Sequence, residues 1–284
     1  MTGQQHGRRT AIAALATISA MTAMTTTACS GSGAAAQAES RGDPAPIATI
    51  RNAPDVLVRT GSSKTRTSME MATGGTRVTI TGDGGYDYAR RLGKLRVILP
   101  PDPSGTPEHH PITELLAPGA LYMKNRGAGV PDDKWVRVDT TTLPDGNLVT
   151  GGATDPVSAA ELLRGARRVT YLGETELPEL PGTRLRHYRG TADMGRAAKA
   201  APVHARGALA AAAKGFAKST VPFEAYLDEQ GRIRKVRHRF SFANGQDDRM
   251  VAVASTTLYY DFGVPVRVRL PASEDIFAGR IAMS

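Results

Sequence analysis

Two short stretches fix the kind of backbone this chain can form. Residues 64–71 read KTRTSMEM and residues 264–270 read VPVRVRL, and in both the apolar or small side chains occupy every second position. A period of two sends neighbouring side chains to opposite faces, which is the pattern of a strand with one buried and one solvated side. Thr65, Thr67, Met69 and Met71 then share one face, with Lys64, Arg66, Ser68 and Glu70 on the other. The alternation returns in RVTIT (77–81), which holds Ile80, and in KLRVIL (94–99), with Leu95, Val97 and Leu99. ALYMKN (120–125) and KWVRVD (134–139) make a further pair. The last third adds Phe223, Ala225 and Leu227 on one face, then Val236, His238, Phe240 and Phe242, then MVAVASTTLYYDFG (250–263) with Ala252 and Ala254. Glycine-rich turns such as TGG (73–75) and DEQGR (228–232) separate these runs as hairpin signals.

Only two helical signals interrupt the strands. Asp155 before Pro156 predicts an N-cap with proline at the first helical position, and a helix over 156–166 with Leu162 and Leu163 on one side. Residues 193–218 are alanine-rich and broken at Pro202, which predicts two short helices or one kinked one. The reading is an α+β chain: an antiparallel sheet whose apolar face needs a cover, and two helical segments to supply it. On that face Thr, Met and Ala stand where a packed core favours Leu and Phe. Either adaptable side chains fill the space, or room is left in it.

The N-terminus reads as an address. His6, Arg8 and Arg9 precede the moderately apolar TAIAALATISAMTAM, too short for the roughly 20 apolar residues of a permanent span. It ends at Thr26, Thr27, Ala28 and Cys29, which resemble a bacterial lipobox with threonine in place of the usual leucine. Cleavage before Cys29, the single cysteine, would leave an acylated N-terminal thiol on the membrane; the alternative is an ordinary cut at nearby alanines and an idle thiol. The small, polar, proline-spaced residues 29–54 are expected to be a tether. The organisation is then a signal peptide over 1–28, the tether over 29–54, one domain over 55–275 and a tail over 276–284.

Without the signal, 34 basic side chains face 27 acidic ones, a formal +7. On an exported, membrane-held protein this points to anionic lipid or wall polymer, and the export signal argues against nucleic acid. The sequence lacks Gly-x-Ser-x-Gly, Ser-x-x-Lys and His-Glu-x-x-His, so those hydrolase and zincin classes are excluded and no catalytic residue is assigned. His109 and His110 beside Glu108 fall short of a metal set, and Asp132, Asp133, Asp247 and Asp248 sit in turns without calcium-loop spacing. Trp135 reads as core, and His187 and His238 as packed or solvated strand residues. No metal or other cofactor is expected.

In order, the lipobox, ALYMKN...DDKWVRVD, ELLRGA, VTYLGETEL, RLRHYRGT, VPFEAYLDEQGRIRKVRHRF and TTLYYDFGVPVRVRLP resemble the actinobacterial LppX/LprG-type lipoproteins over residues 55–275. The resemblance implies a fold similar to the LolA/LolB carriers: a strongly curved antiparallel half-barrel, helices closing its open side, and an apolar cavity for the acyl chains of a lipid or lipoglycan. It implies carriage or chaperoning on the outer face of the cell membrane, without covalent chemistry. On this reading Thr65, Thr67, Met69, Met71, Ile80 and Val97 line the cavity, with Leu99, Phe223, Leu227, Ala252 and Ala254. The rival reading is a filled-core sensory or binding module that meets an anionic wall polymer or a partner protein.

Overall fold

The computed structural model describes residues 46–73, 76–100, 110–127, 129–216, 218–243 and 250–278. All belong to the second of two units, Gly42–Ser284; the first, Met1–Arg41, holds Cys29 and the signal-like segment and lies outside the described residues, as do His109, Asp247 and Asp248. Eleven strands are described: β1 (Ser62–Thr73), β2 (Thr76–Asp87), β3 (Leu92–Ile98), β4 (Ile112–Ala117), β5 (Ala120–Lys124), β6 (Val136–Asp139), β7 (Ala166–Leu177), β8 (Leu180–Asp193), β9 (Thr220–Leu227), β10 (Ile233–Ala243) and β11 (Met250–Tyr260). Four helices accompany them: α1 (Pro46–Arg59), α2 (Pro156–Glu161), α3 (Met194–Ala200) and α4 (Val203–Gly215).

The strands form one open, curved antiparallel sheet in the order β6-β5-β4-β3-β2-β1-β11-β10-β9-β8-β7. This order explains the cover. The chain meanders from β1 outward to one edge at β6, must reach the opposite edge at β7, and then meanders inward until β11 pairs with β1. Residues 140–165 make that passage and carry α2, all six residues of which are buried. Asp155 caps α2 as its sequence predicts, accepting from the Val157 amide at 2.9 Å and from the Ser158 hydroxyl at 2.9 Å. α3 and α4, inserted between β8 and β9 and broken at Pro202, complete the cover.

Three expectations are corrected. The tether ends sooner, because Pro46–Arg59 is helical. Proline at its first position suits a helix start, and Ile50, Ala53, Pro54 and Leu57 are buried at the i, i+3, i+4, i+7 spacing of one face. Pro54 therefore sits inside a helix, where burial outweighs the one backbone bond it forfeits. Residues 264–270 alternate in exposure but join no ladder; the segment runs as extended chain against the sheet, with the Val264 carbonyl accepting from the Ser62 hydroxyl at 2.5 Å. Finally, Ile276 and Phe277 belong to the fold and not to a tail. Trp135 bridges Ile276, and the Phe277 amide donates to the Trp135 carbonyl at 2.8 Å.

Candidate functional site: the concave face and its cover

Most central strands turn one parity inward. In β1 these are Thr65, Thr67 and Met69, with Met71 partly buried at the end; in β2 and β3, Ile80, Leu95 and Val97; in β9, Phe223, Ala225 and Leu227. Leu99, just past β3, is partly buried against the same core. In β11 the inward set is Val251, Val253, Ser255, Thr257 and Tyr259, so Ala252 is exposed and Ala254 half-buried on the outer face. Those two alanines are corrected: both parities of MVAVAS are apolar, and only the pairing of Met71 with Val253 and Met69 with Ser255 sets which one points inward.

The face is not uniformly apolar. Where β1, β11 and β10 meet, Thr65, Thr67, Thr257, Ser255 and His238 form a buried polar seam. Ser255 meets the Thr154 hydroxyl of the passage at 2.5 Å, whereas Thr65 Oγ1 and His238 Nε2 have no hydrogen-bond partner among the described residues. Burial pushes the His238 imidazole down to about 3, so it is neutral at physiological pH. Glu114 of β4 is also fully buried, and both its carboxyl oxygens lack hydrogen-bond partners among the described residues. Burial pushes it up to about 8, against the opposing pull of Arg126. A single-sequence reading passes over Glu114, because ITELLA shows no period that separates its two faces.

The cover over this face is light. α3 and α4 bury Met194, Ala197, Ala198, Ala205, Leu209 and Ala212, so α4 itself holds on with one leucine and small residues. It is pressed by residues 140–150 backbone to backbone: a Cβ at Gly146, which has φ +57°, would overlap the Ala208 carbonyl, and one at Gly215 would overlap that of Pro144. Asp145 holds this loop in shape by accepting from the Val149 and Thr150 amides at 2.7 and 2.6 Å.

At the C-terminal end of α4 a cavity of about 170 Å³ opens between Pro144, Asp145, Val149, Thr150, Gly215 and Phe216. The Phe216 ring packs tilted against Phe240, centroids 5.2 Å apart, and the strand neighbour of Phe240, Val253, faces Met71. The cavity is thus at the Met71 end of the concave face. At the other end a cavity of about 360 Å³ is lined by Tyr86, Tyr88, Arg91, Glu161, Arg164 and His204 among others. Its charges are largely spent on each other: Arg164 binds Asp55 at 2.7 and 3.0 Å and Glu161 at 2.5 and 3.1 Å.

The remaining candidates do not converge on a site. Trp135 lies under the Lys124 ammonium at 5.8 Å, and His187 stacks on Tyr226 at 4.2 Å on the outer face near Glu224. Asp132 and Asp133 are exposed, and so is His110, just before β4. Among the described residues no three His, Cys, Asp or Glu side chains gather as a metal site requires.

Fold and site together define a class: an open antiparallel half-barrel whose concave face is closed by helices. No protein-family model matches the sequence, and no curated protein matches it. Among solved structures the chain is similar to the Mycobacterium tuberculosis lipoprotein LppX, at 13% identity and a TM-score of 0.47, over 80% of this chain and 100% of that one. It is also similar to a LolA superfamily protein from Nitrosomonas europaea, at 10% identity and a TM-score of 0.34, over 80% and 96% of the two chains. A third is the MucA/MucB complex of Pseudomonas aeruginosa, at 13% identity and a TM-score of 0.32, over 83% and 64%. Identities of this order leave ligand and partner to be read from this chain's own residues.

Proposed function

We propose that this is an extracytoplasmic lipoprotein, anchored through acylated Cys29, that takes up an amphiphile with its acyl chains between the concave sheet face and α4. The observation that carries the reading is the lightly held α4 beside a cavity at the end of that face. A cavity of about 170 Å³ is below the roughly 300–1,000 Å³ of ligand sites, so uptake requires the cover to move. Moving it is inexpensive: freeing one leucine costs about 1.5–3 kcal/mol, while each buried methylene of an entering chain returns about 0.8 kcal/mol. In the polar seam Thr65 Oγ1 and His238 Nε2, unpartnered among the described residues, are available to polar atoms of the ligand. Carriage of a lipid or lipoglycan needs no catalytic group.

Native mass spectrometry of the protein from a host that acylates lipoproteins, before and after organic extraction, tests this. Retained or re-bound lipid is expected, and Val149→Phe, which fills the cavity, should reduce it several-fold. The close packing of Met69, Val97, Phe223 and Leu227 favours the second reading, a filled-core module that binds anionic wall polymer through its basic surface. A protein that never holds lipid but is retained by teichoic or other polyanionic wall material would establish that reading instead.

A further inference from the structure

The edge strand β7 departs from the rest of the sheet. Arg167, Arg168, Thr170, Tyr171 and Leu172 are all exposed, with Tyr171 at 43% and Leu172 at 44%. The cause is local. Pairing with β8 shifts register between Arg167 and Thr170 and again between Tyr171 and Gly173, and Arg168 takes φ +49°. These irregularities break the alternation, so that an aromatic ring and a leucine at consecutive positions both stay exposed at the sheet's edge. The Tyr171 ring packs tilted against that of Tyr188, with centroids 5.2 Å apart, and stays 43% exposed. The Arg168 side chain has no hydrogen bond or ion pair among the described residues, and Arg167 has only a 3.8 Å approach to Asp193.

We propose that this edge, through Arg167, Arg168, Tyr171 and Leu172, docks the protein onto an anionic lipid surface, an inference that rests on the acylation of Cys29 proposed above. Three observations select the membrane over another occupant. The first is where the anchored segment enters the fold. The Arg51 guanidinium of α1 bonds the Ala166 carbonyl at 2.8 Å, and Asp55 lies a turn further on at Arg164, so the first turn of α1 runs beside the residues that follow Ala166. The second is reach: sixteen residues separate Cys29 from Pro46, so an acylated Cys29 confines this edge to within at most about 60 Å of the bilayer, and the raised effective concentration makes a weak contact sufficient. The third is chemistry: two arginines beside an aromatic and a leucine match anionic headgroups over an apolar layer. A bulged edge is, by contrast, a poor template for a strand from a second copy.

The test places the mature protein in vesicles of equal parts phosphatidylglycerol and phosphatidylcholine that carry a nitroxide-labelled lipid. Quenching of the indole introduced by Leu172→Trp is read above the Trp135 background. Quenching is expected in these vesicles and should weaken in pure phosphatidylcholine or high salt. Arg167→Gln and Arg168→Gln should each lower the docking equilibrium constant about 5-fold. An acylated protein whose new indole stays unquenched overturns the proposal, as does a dimer in solution that Leu172→Ser dissolves. The N-terminal mass reports the anchor separately. Should Cys29 prove unacylated, co-sedimentation of the processed chain with the same vesicles decides: binding weakened by the arginine substitutions supports the docking face without the anchor, and no binding overturns both.

Discussion

Two buried ionisable side chains, Glu114 and His238, place opposite pH slopes on the same fold. The Glu114 carboxyl is held up at about 8 by burial, so the folded form keeps a proton that the unfolded chain gives up near 4.5. Stability is therefore lost as pH rises between about 4.5 and 8, with a ceiling of about 5 kcal/mol at about 1.4 kcal/mol per pH unit. His238, held down at about 3, works the other way: the unfolded chain gains a proton below 6.5 that the folded form refuses, so stability is lost as pH falls from 6.5 toward 3. Glu114→Met should stabilise the fold at pH 8 by on the order of 1–3 kcal/mol, the cost of an unpartnered buried polar group, raise the melting temperature there and flatten the alkaline limb. His238→Phe should flatten only the acid limb. Thermal unfolding of both variants from pH 4 to 9 checks the assignment, and a Glu114→Met profile parallel to the parent would refute it.

At the scale of elements, what the sequence revealed depended on how unequal the two faces were. β1 was legible because Lys64, Arg66 and Glu70 mark the outer side, and α2 was legible because Asp155 and Pro156 spell its start. β11 was not, since Val251 and Ala252 are both apolar and the inward parity comes from pairing with β1. α1 was hidden by its prolines, and residues 264–270 carried a strand's alternation without a strand's partner. The passage over 140–155 was illegible for another reason: its shape comes from Asp145 and from glycines that meet α4. Gly215→Ala should push the end of α4 off Pro144, at a cost of about 1–3 kcal/mol. It should speed both hydrogen exchange in α4 and uptake of a fluorescent fatty acid. Leu209→Ala, which removes the one large side chain that α4 buries, should cost about 2–5 kcal/mol and act in the same direction. Slower uptake in either variant would mean that α4 is not the moving wall.

Considered whole, the molecule is two meanders sewn together at one seam. β1 to β6 spread to one edge, β7 to β11 return from the other, and among the described residues the ladder between β1 and β11 is the one sheet pairing that joins them. That junction carries the polar inner residues: Thr67 faces Thr257, Met69 faces Ser255, and Ser255 faces His238 on the next strand. Apolar side chains at these positions would give a tighter core, so the sequence spends stability where the two halves meet. On the proposed uptake, this seam is where the concave face is expected to widen when the cover opens, although its ladder runs unbroken from Lys64–Tyr260 to Ala72–Ala252. Thr67→Val with Thr257→Val keeps side-chain shape and removes two buried hydroxyls. The double variant should be more stable by about 1–2 kcal/mol, a rise of roughly 2–8 °C in melting temperature for a domain of this size. It should also take up the fluorescent fatty acid more slowly and exchange the β1–β11 amides more slowly. A variant that gains stability with uptake unchanged would show that the seam is merely a cost to folding, and that widening is confined to the cover.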